Sequence, residues 1–140
     1  MAKIDLGLPL LVVDDDAMVR GVVVEYLKSF GFTWVTEAKS PEQALKLIND
    51  PNFPLEMVIT DWEMPKVSGL TILKAIRKNP ARSNVRVVMI TSQRSMERFK
   101  ITQAAQWRVN AYLVKPFRAD LLKAKIWDVL QWKKDESQSA

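Results

Sequence analysis

Residues 57–65 read MVITDWEMP, an apolar run that ends in the carboxylate of Asp61. The run predicts a short strand buried on both faces, and Pro65 predicts that the chain then leaves the sheet in a loop. Asp61 would therefore lie at the carboxyl end of a strand. Ligands of open parallel sheets bind at this edge, so Asp61 is a candidate nucleophile or metal ligand. Aspartate also ends strands for purely structural reasons, and position alone favours neither role.

Strand-type and helix-type patterns alternate along the rest of the chain. Apolar runs predict strands at residues 8–13, 33–38, 57–61, 85–91 and 111–114. Helical spacing follows each strand, on the apolar positions Val19, Val22, Val23, Tyr26, Leu27 and Phe30; Ala44, Leu45 and Ile48; Leu70, Leu73 and Ile76; Met96, Phe99 and Ala104; and Leu122, Ile126, Val129 and Leu130. This alternation predicts an α/β fold in which right-handed crossovers build one parallel sheet.

Local signals predict where several helices begin and end. Ser40 and Gln43 predict a capping box at the start of the second helix, and Gly31 predicts a left-handed stop after the first. The fourth helix, at about residues 94–107, has a thin apolar stripe, so we expect it to be marginally stable. Asn110 is the expected left-handed residue behind it.

Composition excludes several classes of function. The 140 residues suit one domain, which we expect at residues 8–132 between a short extension at 1–7 and a polar tail at 133–140. Histidine and cysteine are absent, which excludes disulfides, thiolate chemistry and the usual zinc sites. No apolar run is long enough to span a membrane, and Asp5 does not suit an export signal, so we expect a cytoplasmic protein. The formal charge is +5, but the lysines and arginines are dispersed, which does not favour nucleic-acid binding.

Polar residues at strand ends are the strongest functional signal. Asp14 and Asp15 follow the first predicted strand, Asp61 ends the third, Thr91 ends the fourth and Lys115 follows the fifth. All would meet at the carboxyl edge of the sheet, where clustered carboxylates need a cation and oxygen ligands favour Mg²⁺. A carboxylate nucleophile with Mg²⁺, and with a lysine and a hydroxyl to hold phosphoryl oxygens, is suited to forming an aspartyl phosphate.

Four motifs resemble the receiver domain of two-component response regulators. They are VVDD at 12–15, DWEMP at 61–65 with Gly69 after it, VMITS at 88–92 and YLVKPF at 112–117. The resemblance covers residues 8–132 and is to chemotaxis-type single-domain regulators in particular. It implies a flavodoxin-like (βα)5 three-layer sandwich with a five-stranded parallel sheet of order 2-1-3-4-5, a fold class for which a chemotaxis regulator is a standard example.

The same resemblance implies a metal-dependent phosphoacceptor. Asp61 would accept the phosphoryl group. Asp15 and Asp61 would ligate Mg²⁺ directly together with the backbone carbonyl of Glu63, and Asp14 would act largely through water.

It also implies a switch. Thr91 would move toward the phosphoryl group and Lys115 would pair with it, while Tyr112 would turn inward into the space that Thr91 leaves. The Lys115-Pro116 peptide bond would be cis, a form that only proline makes accessible at low cost.

Partners and output follow from the resemblance as expectations. A histidine kinase or a phosphotransfer protein would supply the phosphoryl group. An output protein would dock on the face made by the fourth helix, the fifth strand and the fifth helix, and the absence of an output domain after Trp132 also favours docking. The protein would not be a conventional enzyme, although it would catalyse its own phosphotransfer and autodephosphorylation.

The chain departs from the family pattern at two places. Glu63 lies where water would approach a phosphoryl group, and we hypothesise that its charge changes the lifetime of the phosphorylated state; a solvated loop residue is the alternative. The segment between Thr91 and Lys115 is slightly longer than is usual in the family, which affects the output face. Trp107 and Trp127, near that face, suit either a partner surface or ordinary packing.

Two other functions stay open. Asp14 and Asp16 have the spacing of the two acids in haloacid-dehalogenase-like phosphatases, but the later acidic pair of that class is missing. A receiver-like module that binds partners without being phosphorylated is the second alternative, although such modules tend to lack one of the site residues.

Overall fold

A computed structural model describes residues 3–92 and 98–132, with no side chains described at 98 and 99. Its strands are Leu10–Val13 (β1), Val35–Ala38 (β2), Met57–Asp61 (β3), Arg86–Ser92 (β4) and Ala111–Lys115 (β5). Its helices are Ala17–Ser29 (α1), Pro41–Ile48 (α2), Gly69–Lys78 (α3), Arg98–Gln106 (α4) and Ala119–Val129 (α5). The predicted tail at 133–140, the first part of the predicted fourth helix and Met96 lie outside the described residues. Within them, no helix is long and apolar enough to cross a membrane.

The five strands form one parallel sheet in the order β2-β1-β3-β4-β5, which confirms the flavodoxin-like topology. β3 lies at the centre, and β2 and β5 are the edge strands. The register aligns Val13 with Thr60, Asp61 with Ile90, and Ser92 with Lys115. The carboxyl ends of β1, β3, β4 and β5 are therefore level with one another.

The two faces of the sheet each pack against a separate layer of helices, because alternate strand residues point to opposite sides. One core cluster joins Leu10, Val12, Met57 and Ile59 to α1 and α5. The other joins Leu11, Val13, Val58 and Met89 to α2, α3 and α4. The predicted three-layer sandwich is confirmed, with strands buried on both faces as the apolar runs indicated.

The buried side of α1 differs from the prediction. The residues buried on this helix are Arg20, Val23, Val24 and Leu27, whereas Val22 is 45% exposed. Apolar residues cover much of the circumference of α1, so the hydrophobic pattern alone does not fix its rotation. The observed rotation carries Arg20 inward, where its guanidinium finds oxygen partners.

Helix ends follow their local signals with two exceptions. Ser40 accepts a hydrogen bond from the Gln43 amide at 3.1 Å, and Gly31 has φ of 104°, as expected. The Gln43 side chain accepts from the amide of Lys39 and not from that of Ser40, which shifts the predicted capping box by one residue.

The second exception is the end of α4. The left-handed residue is Arg108, with φ of 57°, and not Asn110. The amides of Arg108 and Val109 donate to Ala105 and Ala104, a Schellman pairing that places the left-handed residue directly behind the helix cap. Asn110 instead accepts from the Val87 amide through its side chain and so fixes the start of β5 against β4.

Packing accounts for both tryptophans near the predicted output face. Trp107 is half-buried against the layer formed by α2, α3 and α4, with the ammonium groups of Lys74 and Lys78 over its ring. Trp127 packs edge-on against Phe32 in the layer formed by α1 and α5. Each side chain therefore makes packing contacts, and a partner surface at these two residues stays a prediction.

Candidate functional site

Three carboxylates meet at the carboxyl edge of the sheet. Asp14 directly follows β1 and Asp61 ends the neighbouring strand β3, so the parallel register brings their side chains together. Carboxylate oxygens of Asp14, Asp15 and Asp61 lie within 4.8 Å of one another. Asp14 and Asp61 are only 4% and 5% exposed, whereas Asp15 is open to solvent.

Lys115 supplies a positive charge to this cluster from the end of β5. Its ammonium nitrogen lies 3.0 Å from Asp61 Oδ1 and 4.0 Å from Asp14 Oδ2. The contact with Asp61 is an ion pair by distance, but it lacks the geometry of a hydrogen bond: within the described residues, the buried Oδ1 of Asp61 has no hydrogen-bond partner. The Lys115-Pro116 peptide bond is cis, as expected.

The charges of the cluster are not balanced. Burial, and after it the negative charge of Asp14, raise the pKa of Asp61 to about 6, and Lys115 offsets only part of their effect. Burial likewise raises the pKa of Asp14. A second cation would relieve the repulsion.

The donor set fits Mg²⁺. Three carboxylates, two of them buried, present oxygen ligands with an open solvent side at Asp15, and one buried carboxylate oxygen has no hydrogen bond. Hard divalent cations bind to oxygen ligands of this kind while keeping some of their water. Asp14, Asp15 and Asp61 are thus brought together as predicted, and the Glu63 carbonyl remains an expected ligand.

The raised pKa of Asp61 predicts a pH-dependent cost to stability. The folded protein keeps the Asp61 proton up to about pH 6, whereas the unfolded chain loses it near pH 4, so this group's contribution to stability is lost as pH rises through that window. In Mg²⁺-free buffer at pH 7.5, Asp61→Asn is expected to raise the free energy of unfolding by about 1–2 kcal/mol, since part of the gain is offset by the lost ion pair with Lys115. Urea unfolding at pH 4.5 and 7.5 would measure it. If Asp61→Asn raised the free energy of unfolding equally at both pH values, the raised pKa of Asp61 would be contradicted.

Thr91 and Tyr112 lie on β4 and β5, the two strands between β3 and one edge of the sheet. Thr91, near the end of β4, is fully buried, and Tyr112 of β5 has its ring edge-on to Trp62 at 6.1 Å between centroids. The Tyr112 hydroxyl is buried. Burial raises its pKa, and the nearby Thr91 side chain offsets part of that rise. The structure places the two residues on adjacent strands, and their role in switching stays a prediction.

Glu63 makes contacts that the sequence did not predict. Its Oε2 accepts from the Thr91 hydroxyl at 2.6 Å and its Oε1 accepts from the Ser92 amide at 2.8 Å. The alternative that Glu63 is a freely solvated loop residue is therefore wrong. These hydrogen bonds join positions far apart in the sequence, so no local sequence pattern predicts them.

Arg20 is a residue of the site that sequence reasoning missed. It is buried, and its Nη1 donates to the Asp14 carbonyl oxygen at 2.8 Å while its Nε pairs with Glu37 at 2.9 Å. The contact holds the chain just after β1, where Asp14 begins the acidic cluster. An arginine at helical spacing from Val23 and Val24 was the available signal, because a charge within an apolar stripe must find partners when buried.

Asp16 is occupied by a structural task. Its carboxylate accepts from the Met18 and Val19 amides at 2.9 and 3.2 Å and caps α1. The phosphatase alternative needs this residue as a second catalytic acid, so the geometry argues against that function.

Gly69 controls how closely α3 approaches the site. Its amide donates to the Trp62 carbonyl at 2.9 Å. A Cβ at this position would lie 2.2 Å from the carbonyl oxygen of Asp61. Only glycine allows α3 to begin so close to the end of β3.

Comparison with known proteins gives one consistent result. The family model described as response regulator receiver domain matches residues 10–127. The chain is 36% identical over 122 residues to chemotaxis protein CheY of Pseudomonas aeruginosa, covering 87% of this chain and 95% of that protein. It is 37% identical over 125 residues to chemotaxis protein CheY-3 of Vibrio cholerae, covering 89% and 93%.

Solved structures agree with this result. A response regulator receiver domain protein from Clostridium thermocellum superposes with a TM-score of 0.76 at 27% identity, covering 89% of this chain and 94% of that one. The chemotaxis response regulator CheY4 of Vibrio cholerae has the same fold, with a TM-score of 0.76 at 24% identity over 88% and 98% of the two chains.

Proposed function

Because the chain belongs to the response regulator receiver domain family, we propose that it is a phosphorylation-dependent switch whose Asp61 accepts a phosphoryl group from a histidine kinase or a phosphotransfer protein. One observation carries the assignment to Asp61. Its carboxylate is the one that Lys115 contacts at 3.0 Å, and it lies beside two further carboxylates at the carboxyl edge of the central strand.

The chemistry is a carboxylate attack on phosphorus. A carboxylate oxygen of Asp61 forms the new P–O bond while the bond from phosphorus to the donor's leaving group breaks, a histidine nitrogen in a phosphorylated protein or the acetate oxygen in acetyl phosphate. Lys115 can move with the transferred group, since its flexible ammonium needs only to exchange a carboxylate oxygen for a phosphoryl oxygen. Asp14, Asp15 and Asp61, with the Glu63 carbonyl, would hold Mg²⁺, which would neutralise charge on the phosphoryl oxygens.

The signal would leave the site through β4 and β5. Phosphorylation adds about −1.5 to −2 charges at Asp61. Thr91 is on β4 and Tyr112 is on β5. We place the docking site of an output protein on the face formed by α4, β5 and α5. Such couplings are typically about 1–3 kcal/mol, enough to shift a population without refolding. We place the whole exchange in the cytoplasm and assign no role in nucleic-acid binding or membrane insertion.

Intact-protein mass spectrometry with acetyl phosphate tests the proposal. With Mg²⁺ present, the protein is expected to gain the mass of one phosphoryl group, and chelation of the metal is expected to suppress the gain. Fluorescence of Trp62, next to Asp61, should change in parallel, and a Trp62→Phe variant identifies its share of the signal. No mass gain in the presence of Mg²⁺ would favour the alternative, a receiver-like module that is not phosphorylated.

A further inference from the structure

Glu63 accepts hydrogen bonds from two polar groups at the end of β4. One carboxylate oxygen accepts the Thr91 hydroxyl at 2.6 Å, and the other accepts the Ser92 amide at 2.8 Å. A hydrogen bond to an ionised acceptor is about twice as strong as one between neutral groups. The loop after β3 is thereby tied to the end of β4.

The Thr91 hydroxyl has a single proton to donate. The Ser92 carbonyl also lies within reach, but at 3.5 Å it is a much weaker acceptor than Glu63 at 2.6 Å. While Thr91 donates to Glu63, it cannot donate to an oxygen of a phosphoryl group on Asp61. Glu63 and the phosphoryl group would therefore compete for one hydroxyl.

We propose that Glu63 is a positioning residue that holds the Thr91 hydroxyl in the unphosphorylated protein and must release it when Asp61 carries a phosphoryl group. This inference rests on the proposed function. Its consequence is that Glu63 lowers the stability of the phosphorylated state through Thr91, and not merely through the repulsion between two negative groups.

Beryllium fluoride, a stable mimic of a phosphoryl group, measures this competition without turnover. In the presence of Mg²⁺, the concentration that half-saturates the Trp62 fluorescence change is expected to fall on the order of ten-fold in Glu63→Ala, because a charge-assisted bond no longer has to be broken. Glu63→Asp keeps the charge but is one methylene shorter, so its half-saturation is expected to fall as well. Thermal melts of each variant confirm that it is folded.

A double-mutant cycle with Thr91→Val separates the hydroxyl from the charge. Valine keeps the shape of threonine without its donor, so in the Thr91→Val background the Glu63→Ala change is expected to alter half-saturation by less than about two-fold. The Ser92 amide should also exchange its hydrogen faster in unliganded Glu63→Ala than in wild type, a readout that needs no phosphoryl group.

The possible results distinguish the two proposals. Equal half-saturation in wild type and Glu63→Ala, weaker binding in Glu63→Ala, or the same tightening with and without the Thr91→Val substitution would each overturn the role of Glu63 and leave the proposed function standing. A fluorescence response in neither wild type nor Glu63→Ala, together with no mass gain from acetyl phosphate, would overturn both. A response in Glu63→Ala alone would support the competition strongly.

Discussion

Asp61→Asn is expected to abolish phosphoryl incorporation, lowering the initial rate from acetyl phosphate by at least about a thousand-fold. The amide oxygen of asparagine is neutral and is a poor nucleophile toward phosphorus. The side chain would keep its place at the end of β3, so the loss would reflect chemistry and not folding. Intact mass measured against time, in Mg²⁺, gives the rate.

Asp16→Asn is the matched control for this substitution. It also replaces an aspartate by asparagine near the acidic cluster, but Asp16 caps α1 and asparagine is an equally good cap, so phosphorylation close to the wild-type rate is expected. A phosphorylated Asp61→Asn protein, with the group located elsewhere by fragmentation, would refute Asp61 as the acceptor. Loss of the reaction in both variants would mean that the acidic loop acts as a unit and that Asp61 has no separate role.

Gly69→Ala is expected to destabilise the protein by about 3 kcal/mol or more, one of the largest effects available from adding a single methyl group. The added Cβ would meet the Asp61 carbonyl oxygen at 2.2 Å, and no side-chain rotation relieves a contact with backbone. Either α3 must move away or the end of β3 must shift, which would displace the phosphoacceptor. Urea unfolding gives the free energy, and the acetyl phosphate assay reports the displacement.

Gly21→Ala makes the same chemical change where there is room for it. Gly21 is inside α1, and apart from its chain neighbours and the nearby helix backbone, no atom of the described residues lies within 4 Å of a Cβ there. This variant is therefore expected to gain about 0.5–1 kcal/mol from helix propensity. If Gly69→Ala lowers the free energy of unfolding and Gly21→Ala raises it, the close approach of α3 to the end of β3 would be confirmed as the reason for glycine at position 69. A loss below about 1 kcal/mol at Gly69 would show that α3 adjusts easily.

The sequence predicted the sheet better than it predicted the helices. Apolar runs such as residues 57–61 are short, continuous and bounded by turn residues, so they fix both a strand and its burial. The carboxyl edge follows from parallel topology alone, which is why Asp14, Asp61, Thr91 and Lys115 could be grouped before any distance was available. The pattern of α1 was too broad to fix its rotation, and so Arg20 was missed.

Local sequence patterns could not predict contacts between segments that are distant in the chain. Glu63 was recognised as unusual, but its bond to Thr91 depends on how the loop after β3 folds over the end of β4. The end of α4 illustrates a related limit. Residue preference pointed to Asn110, whereas the hydrogen bonding of the helix end selected Arg108 despite its side chain.

The position of β5 at the edge of the sheet has one more consequence. Lys115, the cation paired with Asp61, is carried by a strand that is hydrogen-bonded to a single neighbour, β4. A strand held on one side opens more readily than a central one. A partner that binds and orders β5 would therefore also order the ammonium group. By thermodynamic reciprocity, it would shift the phosphorylation equilibrium toward the phosphorylated state by the same factor by which phosphorylation tightens its own binding.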